Sequence, residues 1–234
     1  MSRAMWRQLR EVFEALQSDR QVRCVLLYGE GGHFCAGGDI SEYAGFRFSE
    51  DSLRDFHERE VWGGLKALLD CDAPVIAQIE GNCLGAGLEI ASCCDLRIAS
   101  DLARFGAPIA KLGFPMAPRE AAVVIRAVGE LTAREMLLSA AVLDAAEMKQ
   151  RGFLNQVVTA RELTESVAGC IDRIVQLAPA AARLNKKSFR ALARPILAEA
   201  ATELIASCYN YAASAEHLEG VTAFVEKRKP VFAG

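Results

Sequence analysis

The sequence predicts an α/β fold with a helical extension, and three observations lead there. Short apolar, β-rich runs alternate with amphipathic stretches over roughly residues 1–160. Two of those runs empty into glycine-rich turns, at 29–38 and 85–87. From about Glu162 onward only helical periodicity remains, so the chain divides into a core over 1–160 and a helical region over 161–234. Strands that alternate with helices bury a mostly parallel sheet, and the trailing helices form a separate layer or extension.

Taken in order, Met5, Trp6, Leu9, Val12, Phe13 and Leu16 recur at helical spacing and predict an opening amphipathic helix. The run 22–28, ended by Gly29, predicts a buried strand. A glycine loop follows, with Asp39 able to cap what comes next. Leu53, Phe56, Glu60, Leu65, Leu68 and Leu69 predict a longer helix that runs through Gly63 and Gly64. Pro74 opens a strand over 75–79, and the turn 84–87 leads straight into a helix over 88–94. Further strands are predicted over 95–99 and 155–158, with a helix over 131–139 between them. The spacing of Asp144 and Glu147 is that of a capping box, opening a helix that stops at Gly152. In the helical region, Leu163, Val167, Ile171, Ile174 and Val175 make one stripe, and Ile196, Leu204, Ile205 and Tyr209 another.

Composition narrows the function classes. A formal charge of −3 and the lack of a basic-aromatic surface pattern argue against nucleic acid as a partner. No apolar run approaches the about 18 residues a membrane span needs, and no signal peptide opens the chain. The eight cysteines include no C-x-x-C pair and sit mostly in apolar runs, so they read as small hydrophobes in a reducing, cytoplasmic setting.

The chemistry is concentrated in two turns. His33-Phe34-Cys35-Ala36-Gly37-Gly38-Asp39-Ile40 has small residues that let a ligand approach the main chain. Gly81-Asn82-Cys83-Leu84-Gly85-Ala86-Gly87-Leu88-Glu89 reads as strand, tight turn and helix start. The free amides at a helix N-terminus suit a developing oxyanion. Glu89, one turn further on, could handle a proton at the same place or could lie solvated on the helix surface. Phosphate-loop and nucleophile-elbow patterns are absent. The three histidines, His33, His57 and His217, lack metal spacing and read as structural or exposed. Phe46, Phe48, Trp62, Phe114 and Met116 offer an apolar ligand pocket or ordinary core.

In combination and order, these segments resemble the crotonase (enoyl-CoA hydratase/isomerase) superfamily. The resemblance also takes in Pro74-Val75-Ile76-Ala77, Cys94-Asp95-Leu96-Arg97-Ile98-Ala99, Phe105-Gly106 and residues 219–230, and so covers nearly the whole chain. It implies a ββα spiral core with a C-terminal helical oligomerisation region, assembling as a homotrimer or a hexamer. It implies an acyl-CoA substrate whose thioester oxygen is held by the amides of Gly38 and Ala86, with Glu89 as the acid/base. Ala36, Gly37, Asp39 and Ile40 would shape the coenzyme A site, and Phe224 and Lys227 would meet the adenine and phosphates of a neighbouring subunit's coenzyme A. No separate cofactor is implied, coenzyme A being part of the substrate.

Two departures stand out. The family's second glutamate falls at Ile109, which transfers no proton. Glu120 could enter the pocket instead, or serve only as a first-turn glutamate favoured by the helix dipole. The change leaves open isomerisation, decarboxylation, thioester hydrolysis or a non-catalytic acyl-CoA-binding subunit. The second departure is at the start, where residues 1–5 resemble the stretch just after the family's entry to its first helix. The β-hairpin that would precede it is not in the sequence, so either the start is internal or those strands were lost; a missing strand pair would leave an exposed sheet edge and apolar surface unless a partner covers it.

Overall fold

A computed structural model describes residues 1–192 and 209–231 of the chain. The opening helix α1 spans Arg3–Ser18, capped by Ser2, whose hydroxyl accepts from the Met5 amide. Trp6 and Phe13 are buried and pack the helix against α3, Trp62–Asp70. Met5 and Val12 depart from the predicted stripe and stay about half exposed, at 48% and 54%. They border an apolar groove shared with Leu9, Leu16 and the strand β1.

Four parallel strands carry the core: β1 (Val25–Tyr28), β2 (Val75–Ile79), β4 (Leu96–Ser100) and β7 (Gln156–Val158), ordered β1-β2-β4-β7. Val75, Ile76, Ala77 and Ile79 are fully buried, the near-continuous apolar run expected of a parallel strand covered on both faces. β1 pairs only with β2 among the described residues, so one edge of the sheet lies beside the groove under α1. A second sheet, β3 (Asn82–Leu84), β5 (Arg104–Gly106) and β6 (Val142–Asp144), was not legible in the sequence, because three residues are too few to show alternation.

The long helix predicted through residues 53–69 is three segments: α2 (Glu50–Asp55), a π-helical stretch (Phe56–Val61) and α3. Helix α4 spans Ala86–Cys93, α5 Pro118–Val128, α6 Glu130–Leu138 and α7 Ala145–Gln150. The capping box is present: the Asp144 carboxylate accepts from the Glu147 amide at 2.8 Å, and Glu147 accepts in return from the Asp144 amide at 3.0 Å. Arg97 ties α4 to the sheet, donating to the carbonyls of Ala91, Cys94 and Phe153.

The trailing helices dock on this core. α8 (Leu163–Val175) sets Leu163, Val167 and Cys170 against Ile76 and Ile98 on the sheet. α9 (Pro179–Leu192) is held by buried cations: Lys186 Nζ lies 2.7 Å from Asp95 Oδ2 and 2.9 Å from the Ala73 carbonyl, and Arg183 donates to Val22 O at 2.6 Å. The stripe positions Ile196, Leu204 and Ile205 lie outside the described residues; Tyr209 is buried, and its hydroxyl donates to Glu58 at 2.8 Å. The last helix, α10 (Ala215–Val225), packs against a 3-10 turn over Pro108–Leu112.

Candidate active site

The two glycine-rich turns meet because residues 35 and 83 bridge in parallel. The Cys35 amide donates to Asn82 O and the Leu84 amide to Cys35 O, both at 2.9 Å. Gly85 then reverses the chain at φ +51°, a conformation that disfavours a side chain, and α4 begins at Ala86. Gly87 in the first turn of α4 packs so tightly that a Cβ there would lie 2.5 Å from the Cys35 carbonyl oxygen. Gly37, at φ +124°, faces Gly85 across the seam. Beyond these contacts the main-chain N–H groups of Gly38 and Ala86 donate to no protein acceptor among the described residues.

Both turns open on a cavity of about 460 Å³. Ala36, Gly37, Gly38, Ile40 and Ala86 all line it. Its walls carry two buried carboxyls, Glu89 at 7% exposure and Glu120 at 3%. Glu89 is therefore no solvated helix-surface glutamate. Glu120 enters from the first turn of α5, where Pro118 sets the helix start. Ile109 lines the same space, so the wall is apolar there and the second carboxyl arrives from a different helix.

Burial raises the pKa of both acids. Glu89 is held well above the usual carboxylate range by burial, with the Glu120 charge adding and Arg47 opposing. Burial pushes Glu120 up to about 8, again against Arg47. His57 Nδ1 lies 2.6 Å from Glu120 Oε1, and burial with the nearby Arg47 charge holds the imidazole well below its ordinary value, so it is neutral. In the tautomer that carries Nδ1–H, the imidazole donates to Glu120 and steadies its carboxylate. Each acid raises the cost of ionising the other, so the two titrate as a pair rather than independently.

Two site expectations fall away from the cavity. Asp39 is exposed and instead caps the 3-10 turn Ile40–Gly45, accepting from Ser41 through its amide and hydroxyl. Lys227 does not line the cavity; its neighbours Arg228 and Lys229 do. Phe224 lines the cavity of its own chain. Of the apolar candidates, Phe114 and Met116 reach the cavity, whereas Tyr43 and Phe56 take the place expected of Phe46, Phe48 and Trp62. Of the three histidines read as structural or exposed, His57 is buried at the cavity and bonded to its carboxyl Glu120. His33 and His217 do serve structure, His33 accepting from the Asn82 amide and His217 bonding the Ala212 carbonyl.

The model of the enoyl-CoA hydratase/isomerase family matches residues 1–234. The chain belongs to this family. A probable enoyl-CoA hydratase of Mycobacterium bovis is 32% identical over 217 residues, 93% of this chain and 82% of the relative. The methylglutaconyl-CoA hydratase of Mus musculus is 30% identical over 239 residues, covering 100% of this chain and 75% of its own. Among solved structures, an enoyl-CoA hydratase/carnithine racemase from Magnetospirillum magneticum superposes with a TM-score of 0.80 at 35% identity, covering 100% of this chain and 86% of that one. A methylmalonyl-CoA decarboxylase complex gives 0.83 at 26% identity, with 97% and 88% covered. The parallel sheet and the trailing helices are thus those of a crotonase-superfamily fold, and an acyl-CoA thioester is the substrate class expected for an enoyl-CoA hydratase/isomerase. Among the described residues no helix is long and apolar enough to cross a membrane.

Proposed function

We propose that this protein processes an acyl-CoA thioester through an enolate-like state, as a lyase or isomerase. The thioester oxygen would take the Gly38 and Ala86 amides, and Glu89 would move the proton at the neighbouring carbon. What carries this reading is the convergence of two unbonded amides and two buried carboxyls on one cavity. Each oxyanion donor of this kind typically contributes about 3 kcal/mol to the barrier reduction. Glu120 serves as the second proton-transfer group, supported by its place in the cavity and its bond to His57. Phe224, with the basic residues beyond it, would meet the coenzyme A moiety at the rim, an aromatic face and cations suiting a purine and its phosphates. Coenzyme A enters as part of the substrate, and the reading needs no further cofactor. A homotrimer, single or paired into a hexamer, in a reducing cytoplasm completes it, and light scattering on the purified protein checks the assembly.

The test is a panel of enoyl-, β-ketoacyl- and carboxyacyl-CoA esters followed by mass spectrometry, with coenzyme A binding measured separately. Conversion of an ester with the thioester intact supports the proposal. Release of free coenzyme A from the acyl-CoA would show hydrolysis instead. Binding without any conversion would make the chain an acyl-CoA-binding subunit.

A further inference from the structure

We propose that the acyl chain this cavity accepts carries a carboxylate of its own, and that Arg47 is the residue that recognises it. The inference rests on the acyl-CoA reading above and narrows its substrate class to dicarboxylic monothioesters.

Arg47 lies between the 3-10 turn Ile40–Gly45 and α2, and lines the cavity. It is 1% exposed, yet it forms no ion pair among the described residues. Its Nε is buried without a hydrogen-bond partner, and the guanidinium's one side-chain bond is a long 3.3 Å contact to the Tyr211 hydroxyl. The other deeply placed cations among the described residues are answered more fully, although Arg183 too leaves one buried nitrogen, Nη1, without a partner. Arg97 donates to three carbonyls, Lys186 pairs with Asp95, and Arg183 donates to main-chain oxygens.

What surrounds Arg47 is aromatic. Its guanidinium carbon sits 3.9 Å from the centroid of Phe114 and 4.5 Å from that of Tyr43. Ring faces attract a cation and hold its plane, but they cancel no charge and accept no in-plane hydrogen bond. Nor do the two cavity acids serve as its partners. Neither Glu89 nor Glu120 comes within ion-pair distance of it, and Glu120 Oε1 is engaged by His57. The Arg47 charge acts on both acids only from beyond ion-pair distance, so neither carboxyl is its hydrogen-bonded partner. An unpaired buried cation is destabilising, and a ligand carboxylate would relieve it. The planar fork of an arginine that leans on two rings, rather than on a protein carboxylate, matches a ligand carboxylate with two parallel N–H···O bonds.

Calorimetric binding of three matched pairs tests this: malonyl- against propionyl-CoA, succinyl- against butyryl-CoA, and glutaryl- against pentanoyl-CoA. In each pair the carbon count is shared and only the terminal carboxylate differs. At least one dicarboxylic member should bind the wild-type protein about tenfold tighter than its neutral partner, the size of one charged hydrogen-bonded contact. Arg47→Met should erase that preference while leaving neutral esters bound, and Arg47→Lys should keep part of it. Equal or weaker binding of every dicarboxylic member overturns the proposal, as does an equal loss for both members of a pair in Arg47→Met. Should Arg47→Met fail to fold, the wild-type pairs and Arg47→Lys still decide. If no thioester binds, nor coenzyme A itself, the acyl-CoA reading falls and takes this proposal with it; binding of all esters without preference removes the proposal alone.

Discussion

His57 and Glu120, 63 residues apart in sequence, form a buried hydrogen bond of 2.6 Å at the cavity wall. Because burial keeps the imidazole neutral, the bond orients and tunes the carboxyl rather than supplying a charge. His57→Phe should therefore move the limb of the pH–rate profile that reports Glu120 to higher pH and lower kcat more than it raises KM. His57→Gln, which retains an N–H donor, should recover part of the loss. An unshifted profile in both variants would reduce His57 to packing.

Glu89→Gln keeps the volume of the side chain and removes its proton chemistry. Turnover should fall by about 10² to 10⁴, the usual contribution of one proton-transfer group, while acyl-CoA still binds. Full activity in this variant would take Glu89 out of the reaction.

Glu120 also leaves a signature in stability. Its folded-state pKa lies above the ordinary 4.5, near 8, so on raising the pH the unfolded chain loses this proton first. The native state then holds more protons than the unfolded one, and stability falls as pH rises from about 4.5 toward 8. Glu120→Gln should flatten that decline. Thermal melts across pH 5 to 8 would show it, at about 2–4 °C in Tm for each kcal/mol relieved. His57 acts with the opposite sign: its depressed pKa removes stability as pH falls below 6.5, so the acid side of the profile should persist in the variant.

Gly87→Ala places a methyl 2.5 Å from the Cys35 carbonyl, against backbone that cannot step aside as a side chain would. The seam between the two turns must open, at a cost of about 1–3 kcal/mol. Activity should drop further than stability does, since the Gly38 and Ala86 amides sit on either side of that seam. A denaturant melt and a kcat measurement on the same preparation compare the two.

The parts of the site that are local in sequence were legible there. The turn around Gly85 and the helix behind it mark the Ala86 amide and Glu89, because glycine, small residues and a following helix start occupy consecutive positions. Glu120 was visible only as a first-turn glutamate, and nothing in its neighbours says that it is buried. His57 and Arg47 were missed. Each is a lone polar residue whose meaning comes from groups tens of residues away, though an arginine between Phe46 and Phe48 in an apolar stretch is a hint of burial. The second sheet escaped for a different reason. Its strands are three residues long, and their pairing, not their composition, makes them strands.

The π-helical stretch Phe56–Val61 has a consequence for how this chain tolerates change. Each residue turns an α-helix by about 100°, and a π segment spends one more per hydrogen-bonded ring. Deleting a single residue there would restore regular winding, yet it would swing Trp62–Asp70 by roughly a quarter-turn against α1 or rotate His57 off its carboxyl. The residue count of this rod is thus as constrained as its identity. Natural or engineered length variation should be tolerated at the exposed glycines 31 and 32 and refused between α2 and α3.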